Sequence, residues 1–392
     1  MSRAEMGKGA RETRPGQITA VDLLKLPCYI WRGVKYHTAG RVHTPRPLYA
    51  TLRVTRSCNS RCVMCSDWKR RDQATELTAV QLGEMLSNPL FKSLEKFVLG
   101  GGEPTLRGDL ADIARTTLES CPNLKAMSLL TNGLEPDTVV ERVRQLLALP
   151  QLDRLETFAV SVSLDGHGET CDRIRRVPQA FERVSETISR LKELKTQRPF
   201  YLCSTCVVQP LNIDNLVQLY DHVKGIGLPI VLSPVCLSDV FVEDEKTRES
   251  LKLTTEQLQK LKGLLGNELS HCLMPSNVPF WREYFAIVEG RKRRKLPCYL
   301  CHYGASIDSD GTLLLCSADS SLVYGSMLDT PPDELWYSDE AKELRRRAER
   351  LYCPSCTICC DLAYCFRLEF FYYATFLLKE KAIAAVAGQG AQ

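Results

Sequence analysis

Apolar residues between about positions 48 and 235 follow two alternating patterns. Short runs of consecutive apolar and β-branched residues are typical of buried strands, and longer segments with apolar residues every three to four positions are typical of helices. The clearest helical repeat runs from Phe181 to Leu194. The pattern predicts strands at 49–55, 97–99, 126–130, 157–164, 201–208 and 230–235. It predicts helices at 77–86, 109–118, 136–149, 181–194 and 213–223.

These six strands with their intervening helices predict an α/β domain with parallel strands and right-handed crossovers. Glycine, aspartate and asparagine residues follow the predicted strands, at the edge where parallel α/β folds place their chemistry. A closed barrel of this kind has eight strands. We therefore expect a partial (β/α)6 TIM barrel with a lateral opening, which suits a large substrate.

Composition excludes several protein classes. The chain has 392 residues, of which 44% are hydrophobic and 25% are charged, so global disorder, collagen and coiled coil are excluded. The net charge of +4 is too small to favour a nucleic-acid or membrane-surface protein. The longest apolar segment, 370–378, is shorter than the roughly 20 residues of a membrane span, and we interpret it as a helix docked on the core.

The count of 18 cysteines is unusual for a chain of this size. The first seventeen residues carry several charges and no apolar core of a signal peptide. We therefore expect a cytoplasmic protein whose thiols stay reduced, and thiols in such proteins usually serve metal binding, redox chemistry or catalysis.

The chain divides into five predicted parts. A basic run at 291–295 closes the bridging part and is interpreted as a solvated face. The parts are an N-terminal extension (1–47), the partial barrel (48–236), a bridging segment (237–295), a cysteine-rich module that needs metal for stability (296–366) and a C-terminal helix or tail (367–392).

A first cysteine cluster follows the first predicted strand. Cys58, Cys62 and Cys65 have the spacing Cys-x3-Cys-x2-Cys. Thiolates select zinc or iron–sulfur clusters, and a structural site usually needs four ligands. Three ligands with a vacancy predict a catalytic metal centre, because a substrate or cofactor can coordinate there. The alternative is a structural zinc knuckle with a distant fourth ligand.

A glycine-rich turn follows the second predicted strand, with the sequence Gly100-Gly-Gly-Glu-Pro104. Glycines allow the backbone to approach a ligand closely. Exposed carbonyls and the Glu103 carboxylate would suit an ammonium group. Alone this motif is also typical of an ordinary tight loop, but its position one strand after the cysteine loop favours a binding site.

Together these motifs resemble the radical S-adenosylmethionine (SAM) superfamily. The resemblance implies that Cys58, Cys62 and Cys65 hold a [4Fe-4S] cluster whose remaining iron binds SAM. It also implies reductive SAM cleavage to a 5′-deoxyadenosyl radical, with an external electron donor such as flavodoxin or ferredoxin. The residues expected to bind SAM are Gly101, Gly102 and Glu103 (its amino group), Ser163, and Arg183 (its carboxylate), although Arg183 is equally typical of a helix surface.

A second cysteine cluster lies between residues 298 and 365. Its Cys-x9-Gly-x4-Cys segment, followed by Cys-x2-Cys, resembles the SPASM and Twitch modules that hold auxiliary iron–sulfur clusters in radical SAM enzymes. A zinc ribbon is the alternative. The resemblance implies one [4Fe-4S] cluster on Cys301, Cys316, Cys353 and Cys356, and a second on Cys298, Cys359, Cys360 and Cys365.

The other cysteines are predicted to be structural. Cys203 and Cys206 lie on one predicted strand and face opposite sides, so at most one points into the barrel. An inward cysteine could donate hydrogen to a substrate radical, but a small buried apolar role is the preferred interpretation.

Three functional hypotheses follow. The first is a radical SAM oxidoreductase or related transforming enzyme that abstracts hydrogen from a peptide, giving oxidation, cross-linking or epimerisation. The second is dehydrogenation or epimerisation of a small carbohydrate-type molecule. The third is a zinc-stabilised binding protein without chemistry, which predicts a colourless zinc protein instead of a brown iron protein.

Overall fold

One sheet organises the fold. The computed structural model describes residues 27, 31, 44–69, 76–267, 269, 277–291, 293, 294, 298, 300–319 and 321–357. The strands in these ranges are β1 (Tyr49–Thr55), β2 (Lys96–Gly101), β3 (Ala126–Thr131), β4 (Thr157–Ser163), β5 (Tyr201–Val208), β6 (Ile230–Pro234), β7 (Gly304–Ile307), β8 (Thr312–Leu314) and β9 (Val323–Ser326). They form a single sheet with the order β6-β5-β4-β3-β2-β1-β7-β8-β9.

Strands β1 to β6 confirm the predicted parallel core. Each pairs in parallel with the next strand along the chain. The pairing of β1 with β2 shifts register between Arg53 and Thr55, at the point where β1 ends. This arrangement is the partial TIM barrel that the alternating pattern predicts.

Helices connect the strands and cover one face of the sheet. α1 begins with a capping box, in which Thr78 and Gln81 satisfy each other's backbone N–H groups, and Thr254 and Gln257 do the same for α8. The helices are α1 (Ala79–Leu86), α2 (Leu110–Ser120), α3 (Pro136–Leu147), α4 (Glu169–Arg175), α5 (Ala180–Gln197), α6 (Leu216–Gly225), α7 (Glu245–Ser250), α8 (Thr255–Gly266), α9 (Asn277–Val288), α10 (Leu300–Tyr303), α11 (Pro332–Tyr337) and α12 (Asp339–Leu351).

The two faces of the sheet differ in polarity because side chains alternate along a strand. On β1, the outward residues Ala50, Leu52 and Val54 join the main apolar core. The opposite face is rich in hydroxyl groups. The Thr51 hydroxyl donates to Ser306 Oγ at 3.1 Å, and further along the same face the hydroxyls of β4 and β5 lie close together. The inner face of the barrel therefore carries several hydroxyl groups, beside larger side chains such as Tyr49 and Arg53.

Cys203 and Cys206 confirm the predicted alternation on β5. Cys206 belongs to the outward core and accepts a hydrogen bond from Asn212 Nδ2 at 3.5 Å. Cys203 lies on the opposite face, where Ser161 is its hydrogen-bonding neighbour, and burial raises its pKa. Cys203 is therefore the cysteine of this pair that faces the barrel interior.

The cysteine-rich module extends the barrel sheet, which the sequence pattern did not predict. β7 pairs in parallel with β1, and β8 and β9 continue the sheet in antiparallel fashion. An ion pair between Arg56 and Asp308, at 2.5 Å, joins the loop after β1 to the turn after β7. The module and the barrel therefore share one sheet and a polar contact beside the first cysteine loop.

The bridging segment contains three helices in its described part. α8 lies between α7 and α9. None of the helices in the described ranges has the length and apolar character needed to cross a membrane. The predicted tail at 367–392 lies outside the described residues.

Candidate active site

The first three cysteines lie on the loop that follows β1. The Ser60 backbone N–H donates to Cys58 Sγ at 3.4 Å, and the Ser60 hydroxyl lies 3.0 Å from Cys62 Sγ. Burial raises the pKa of Cys58 to about 11 and the pKa of Cys65 to about 12, and in both cases a neighbouring thiol of this loop adds to the rise. The three thiols therefore lie within electrostatic reach of one another.

This donor set suits an iron–sulfur cluster. A bound metal replaces the thiol protons, and a set of thiolates selects zinc or iron–sulfur. Among the residues that the structure describes, no three Cys, His, Asp or Glu side chains converge as the ligands of one ion do. The ligands of a four-iron cube, by contrast, attach to different iron atoms, so they do not need to converge on one point. The assignment of Cys58, Cys62 and Cys65 to one cube rests on thiol chemistry and loop position, and it stays a prediction.

The cysteine loop is held by the end of α4. The backbone N–H of Arg61 donates to the Arg175 carbonyl at 3.2 Å, and that of Val63 donates to the Ile174 carbonyl at 2.9 Å. The Ser60 hydroxyl also donates to the Arg175 carbonyl. The last carbonyls of a helix lack partners within the helix. The loop satisfies them and takes its position from α4.

A buried ion pair lies beneath this contact. Arg175 Nη2 lies 2.7 Å from Asp165 Oδ2, and the two side chains are 5% and 1% exposed. Burial alone would lower the pKa of Arg175, but the charges of Asp165 and of Cys62 raise it above its usual value. Sequence reasoning missed this pair. The one feature of the sequence that pointed to this pair was the position of Asp165 directly after a predicted strand.

The glycine turn lies against the same loop. The Gly102 N–H donates to the Thr55 carbonyl, and the Glu103 N–H donates to the Ser57 carbonyl, both at 2.8 Å. A Cβ on Gly102 would lie 2.3 Å from the Ser57 carbonyl oxygen. Gly101 has φ +126°, which only glycine adopts readily, and it is exposed. Glycine is required here because two backbone segments meet without room for a side chain.

Glu103 is enclosed within the turn. It is 1% exposed, and its carboxylate accepts hydrogen bonds from the Thr105 N–H and hydroxyl, the Thr131 hydroxyl and the Asn132 N–H, at 2.6–3.1 Å. Burial raises its pKa, and these donors act in the opposite direction. The carboxylate therefore stabilises the turn through hydrogen bonds to groups of the protein itself. Binding of the SAM amino group by Gly101, Gly102 and Glu103 stays a prediction that now depends on the exposed backbone.

Asn132 is a second site residue that sequence reasoning did not assign. Its side-chain amide donates to Asn59 Oδ1 at 2.7 Å and lies 3.7 Å from Cys58 Sγ. Its backbone N–H binds Glu103. Asn132 therefore connects the end of β3, the glycine turn and the cysteine loop. The signal for it was the Thr-Asn-Gly sequence after the third predicted strand.

The two other predicted SAM contacts occupy different environments. Ser163 is half-buried at the end of β4, on the same sheet edge as the cysteine loop. Arg183 is 45% exposed on α5 and lies 3.4 Å from Glu135. The structure brings Ser163 to the site edge and gives Arg183 a surface ion pair. Both roles stay predictions.

The cysteine-rich module brings its own thiols together. Cys301 and Cys353 form a hydrogen-bonded pair, and Cys298 interacts electrostatically with both. Cys316 lies within reach of Cys298, Cys353 and Cys356. The predicted ligands Cys359, Cys360 and Cys365 lie outside the described residues.

These five thiols come from separated positions in the chain, and they surround one region of the module. The predicted division of the cysteines between two auxiliary clusters stays a prediction. Cys236, which sequence reasoning treated as structural, interacts electrostatically with Cys356.

Two protein-family models match parts of this chain. The family model described as the radical SAM superfamily matches residues 52–223, and the iron–sulfur cluster-binding domain named SPASM matches residues 298–360. Residues 52–223 therefore form a radical SAM domain, and residues 298–360 form a SPASM domain. The two matched domains imply a SAM-binding [4Fe-4S] cluster, SAM and auxiliary iron–sulfur clusters.

Curated relatives match the chain in part. The AdoMet-dependent heme synthase of Methanosarcina barkeri is 31% identical over 188 residues, which are 47% of this chain and 49% of that protein. A probable GTP 3′,8-cyclase of Methanococcus maripaludis is 33% identical over 179 residues, which are 45% of this chain and 55% of that protein. The chain thus matches about half the length of these relatives.

Solved structures of radical SAM enzymes share the fold over a larger part of the chain. The enzyme anSMEcpe with bound AdoMet and the Cp18Cys peptide has a TM-score of 0.58 and 18% identity, covering 86% of this chain and 99% of that one. SuiB of Streptococcus suis bound to the precursor peptide SuiA has a TM-score of 0.57 and 14% identity, covering 88% and 77%. At these identities the likeness shows the fold.

Gly102→Ala is expected to destabilise the protein by about 1–3 kcal/mol, since the added Cβ meets a backbone oxygen that cannot yield easily. Gly263→Ala is the matched control. Gly263 lies within α8 with no atom within 4 Å of its added Cβ, so alanine there should stabilise the protein by about 0.5–1 kcal/mol. Chemical unfolding of the apo protein measures both, and equal effects would contradict the steric argument.

Glu103→Gln is expected to lower the free energy of unfolding by about 1–3 kcal/mol, because the new amide would oppose a backbone N–H that needs an acceptor. Glu119→Gln provides the comparison, since Glu119 is exposed and accepts only a surface hydrogen bond from Gln151. Urea unfolding measures the free energy of unfolding of both variants. A Glu103→Gln protein as stable as the Glu119→Gln protein would show that the carboxylate does not organise the turn.

Proposed function

We propose that this chain cleaves SAM reductively and uses the resulting radical to abstract hydrogen from a carbon of a peptide substrate. Three thiols and a glycine turn meet at the carboxyl edge of β1 and β2, and this juxtaposition carries the proposal. When bound at the thiols, the cluster and SAM supply a 5′-deoxyadenosyl radical. The products would be an oxidised, cross-linked or epimerised peptide.

The residues around the thiols support this activity because they hold the cysteine loop and the glycine turn in position. Asn132 and Ser60 fix the orientation of the cysteine loop, and Gly102 lets a second backbone segment lie directly against it. Gly101 is exposed at the end of β2, where an ammonium group could reach backbone carbonyl oxygens. Hydrogen bonds hold the cysteine loop and the glycine turn in one arrangement, which favours a preorganised site.

Hydroxyl groups on the inner face of the barrel support a polar substrate. These side chains, including Thr51, Ser161 and Ser306, offer donors and acceptors without charge. Such a wall suits a peptide backbone. The two solved structures of similar fold contain peptides, and both cover most of this chain. We also propose that an external one-electron donor such as flavodoxin or ferredoxin supplies the electron for SAM cleavage.

A second candidate is a small-molecule substrate. The curated relatives, which match about half of this chain, are named for reactions of heme synthesis and of GTP. The same hydroxyl wall would also accept a sugar-like molecule. Under this alternative the chemistry at the thiols is unchanged and the product is a dehydrogenated or epimerised small molecule.

A deuterium-transfer experiment tests the proposal and separates the candidates. The anaerobically reconstituted chain is reduced and given SAM together with an extract of cells grown in heavy water, divided by size. We expect deuterium in 5′-deoxyadenosine with the large fraction, and protease treatment of that fraction should abolish it.

Transfer from the small, protease-resistant fraction would favour the second candidate. Failure to form 5′-deoxyadenosine in any fraction, with the iron fully loaded, would contradict the radical chemistry itself.

A further inference from the structure

A cation is buried in the cysteine-rich module. Arg345 on α12 is 3% exposed. Its guanidinium carbon lies 4.3 Å from the centre of the Trp336 ring and 4.9 Å from that of the Tyr324 ring. Nη1 donates to the Trp336 carbonyl at 3.0 Å. Two aromatic rings and one carbonyl therefore hold this guanidinium in a fixed position.

Within the described part of the chain, the rest of the guanidinium makes no well-formed hydrogen bond. Nε and Nη2 of Arg345 are inaccessible to solvent, and the hydroxyl of Tyr324, whose interaction with the guanidinium raises the pKa of Arg345, makes no well-formed hydrogen bond either. No described carboxylate forms an ion pair with Arg345. By contrast, Arg175 is equally buried and pairs with Asp165. A buried cation without a counter-ion costs several kcal/mol, so a fold keeps one only where negative charge compensates it.

Cysteines are the candidate source of that negative charge. The Cys301 thiol donates to the Arg345 carbonyl at 3.9 Å. Tyr324, Cys301, Cys316 and Cys353 pack in the same small cluster of the module. Burial lowers the pKa of Arg345, and the charge of a Cys301 thiolate acts in the opposite direction. The Arg345 guanidinium, which stacks on Tyr324, thus lies in the part of the module that contains these thiols.

We propose that Arg345 is the counter-cation of the auxiliary cluster and raises its reduction potential. Uptake of one electron adds one negative charge to a thiolate-ligated cluster. A fixed cation nearby stabilises the reduced form more than the oxidised form, and hydrogen bonds to cluster sulfurs act in the same direction. Arginine suits this position because its guanidinium is weakly hydrated and stacks on aromatic rings. The inference rests on the auxiliary cluster and is independent of the substrate.

Potentiometry of the full chain tests this role. The parent carries alanine at Cys58, Cys62 and Cys65, so that only auxiliary clusters contribute to the electron paramagnetic resonance signal. Arg345→Met should lower the equilibrium constant for one-electron reduction at least about tenfold, which corresponds to about 59 mV. Arg345→Lys, which keeps the charge, should retain most of the parent potential.

Arg346→Met is the matched control on the same helix. Arg346 is 71% exposed and lies 3.1 Å from Glu343, so its removal should leave the potential unchanged. An unchanged potential in a fully loaded Arg345→Met protein would overturn the proposal. An equal loss in the Lys and Met variants would also overturn it, since packing and not charge would then be responsible.

Unfolding of the apo protein provides a second measurement if the Met variant binds cluster poorly. Without the cluster, Arg345 is an uncompensated buried cation, so apo Arg345→Met should be at least as stable as its apo parent. Lower apo stability would assign Arg345 a packing role and overturn the proposal. A parent that binds no auxiliary iron at all would contradict the auxiliary cluster as well, while leaving 5′-deoxyadenosine formation by the unmodified chain as a separate test of the proposed function.

Discussion

Replacing Cys58, Cys62 and Cys65 together by alanine is expected to remove about four iron atoms per chain and to abolish 5′-deoxyadenosine formation. The three thiols come from one loop and lie within electrostatic reach of one another, so no single one is redundant. Activity should fall more than about 100-fold, since loss even of an outer partner of a metal ligand costs 10–100-fold. Iron analysis and product assay of the anaerobically reconstituted protein measure both effects.

Cys121→Ala is the control for this triple replacement. Cys121 is buried in the apolar core, with no thiol of either cluster among the groups that affect its pKa, which burial raises to about 12. Its replacement should leave iron content and product formation intact. If the triple variant kept the iron content of the parent, the three thiols would not be cluster ligands and the proposed activity would lose its basis.

Asp165→Asn is expected to lower the free energy of unfolding by about 3–5 kcal/mol, because it leaves the Arg175 cation buried without a counter-ion. The substitution preserves shape, so the effect isolates charge. Since the Arg175 carbonyl holds Arg61 and Ser60, we also expect weaker retention of the cluster that binds SAM. Chemical unfolding of the apo protein and iron analysis after reconstitution measure the two effects.

Asp153→Asn is a control with the same geometry at the surface. Asp153 lies 2.7 Å from Arg198, with side chains 75% and 35% exposed, so solvent screens the pair and its loss should cost less than about 1 kcal/mol. A similar effect for both substitutions would show that the Asp165 pair contributes no more than a surface contact.

The order of strands and helices could be predicted from the sequence. The spacing of apolar residues depends on which face of each element is buried, and that spacing is local. The repeat from Phe181 to Leu194 falls within α5, and the alternation on β5 placed Cys203 and Cys206 on opposite faces. The cysteine loop and the glycine turn were also found from the sequence, because each is a short contiguous motif.

The surroundings of these motifs could not be predicted, because they depend on residues distant in sequence. Arg56 contacts Asp308, 252 positions later in the chain. Asn132 reaches Asn59 on the cysteine loop, and the last turn of α4 holds that loop. Glu103 shows the same limit. The resemblance predicts that its carboxylate binds the SAM amino group, and only the structure shows the four donors that surround the carboxylate between β2 and β3.

The sequence by itself determined the parallel α/β core, the thiols and the turn, since each depends on neighbouring residues and their periodicity. Only the tertiary structure decided that β7 joins β1, that Asp165 compensates Arg175, and that Arg345 is enclosed beside Cys301. Charge compensation at a buried site depends on which distant groups lie within a few ångströms. The spacing of residues along the chain does not determine those distances.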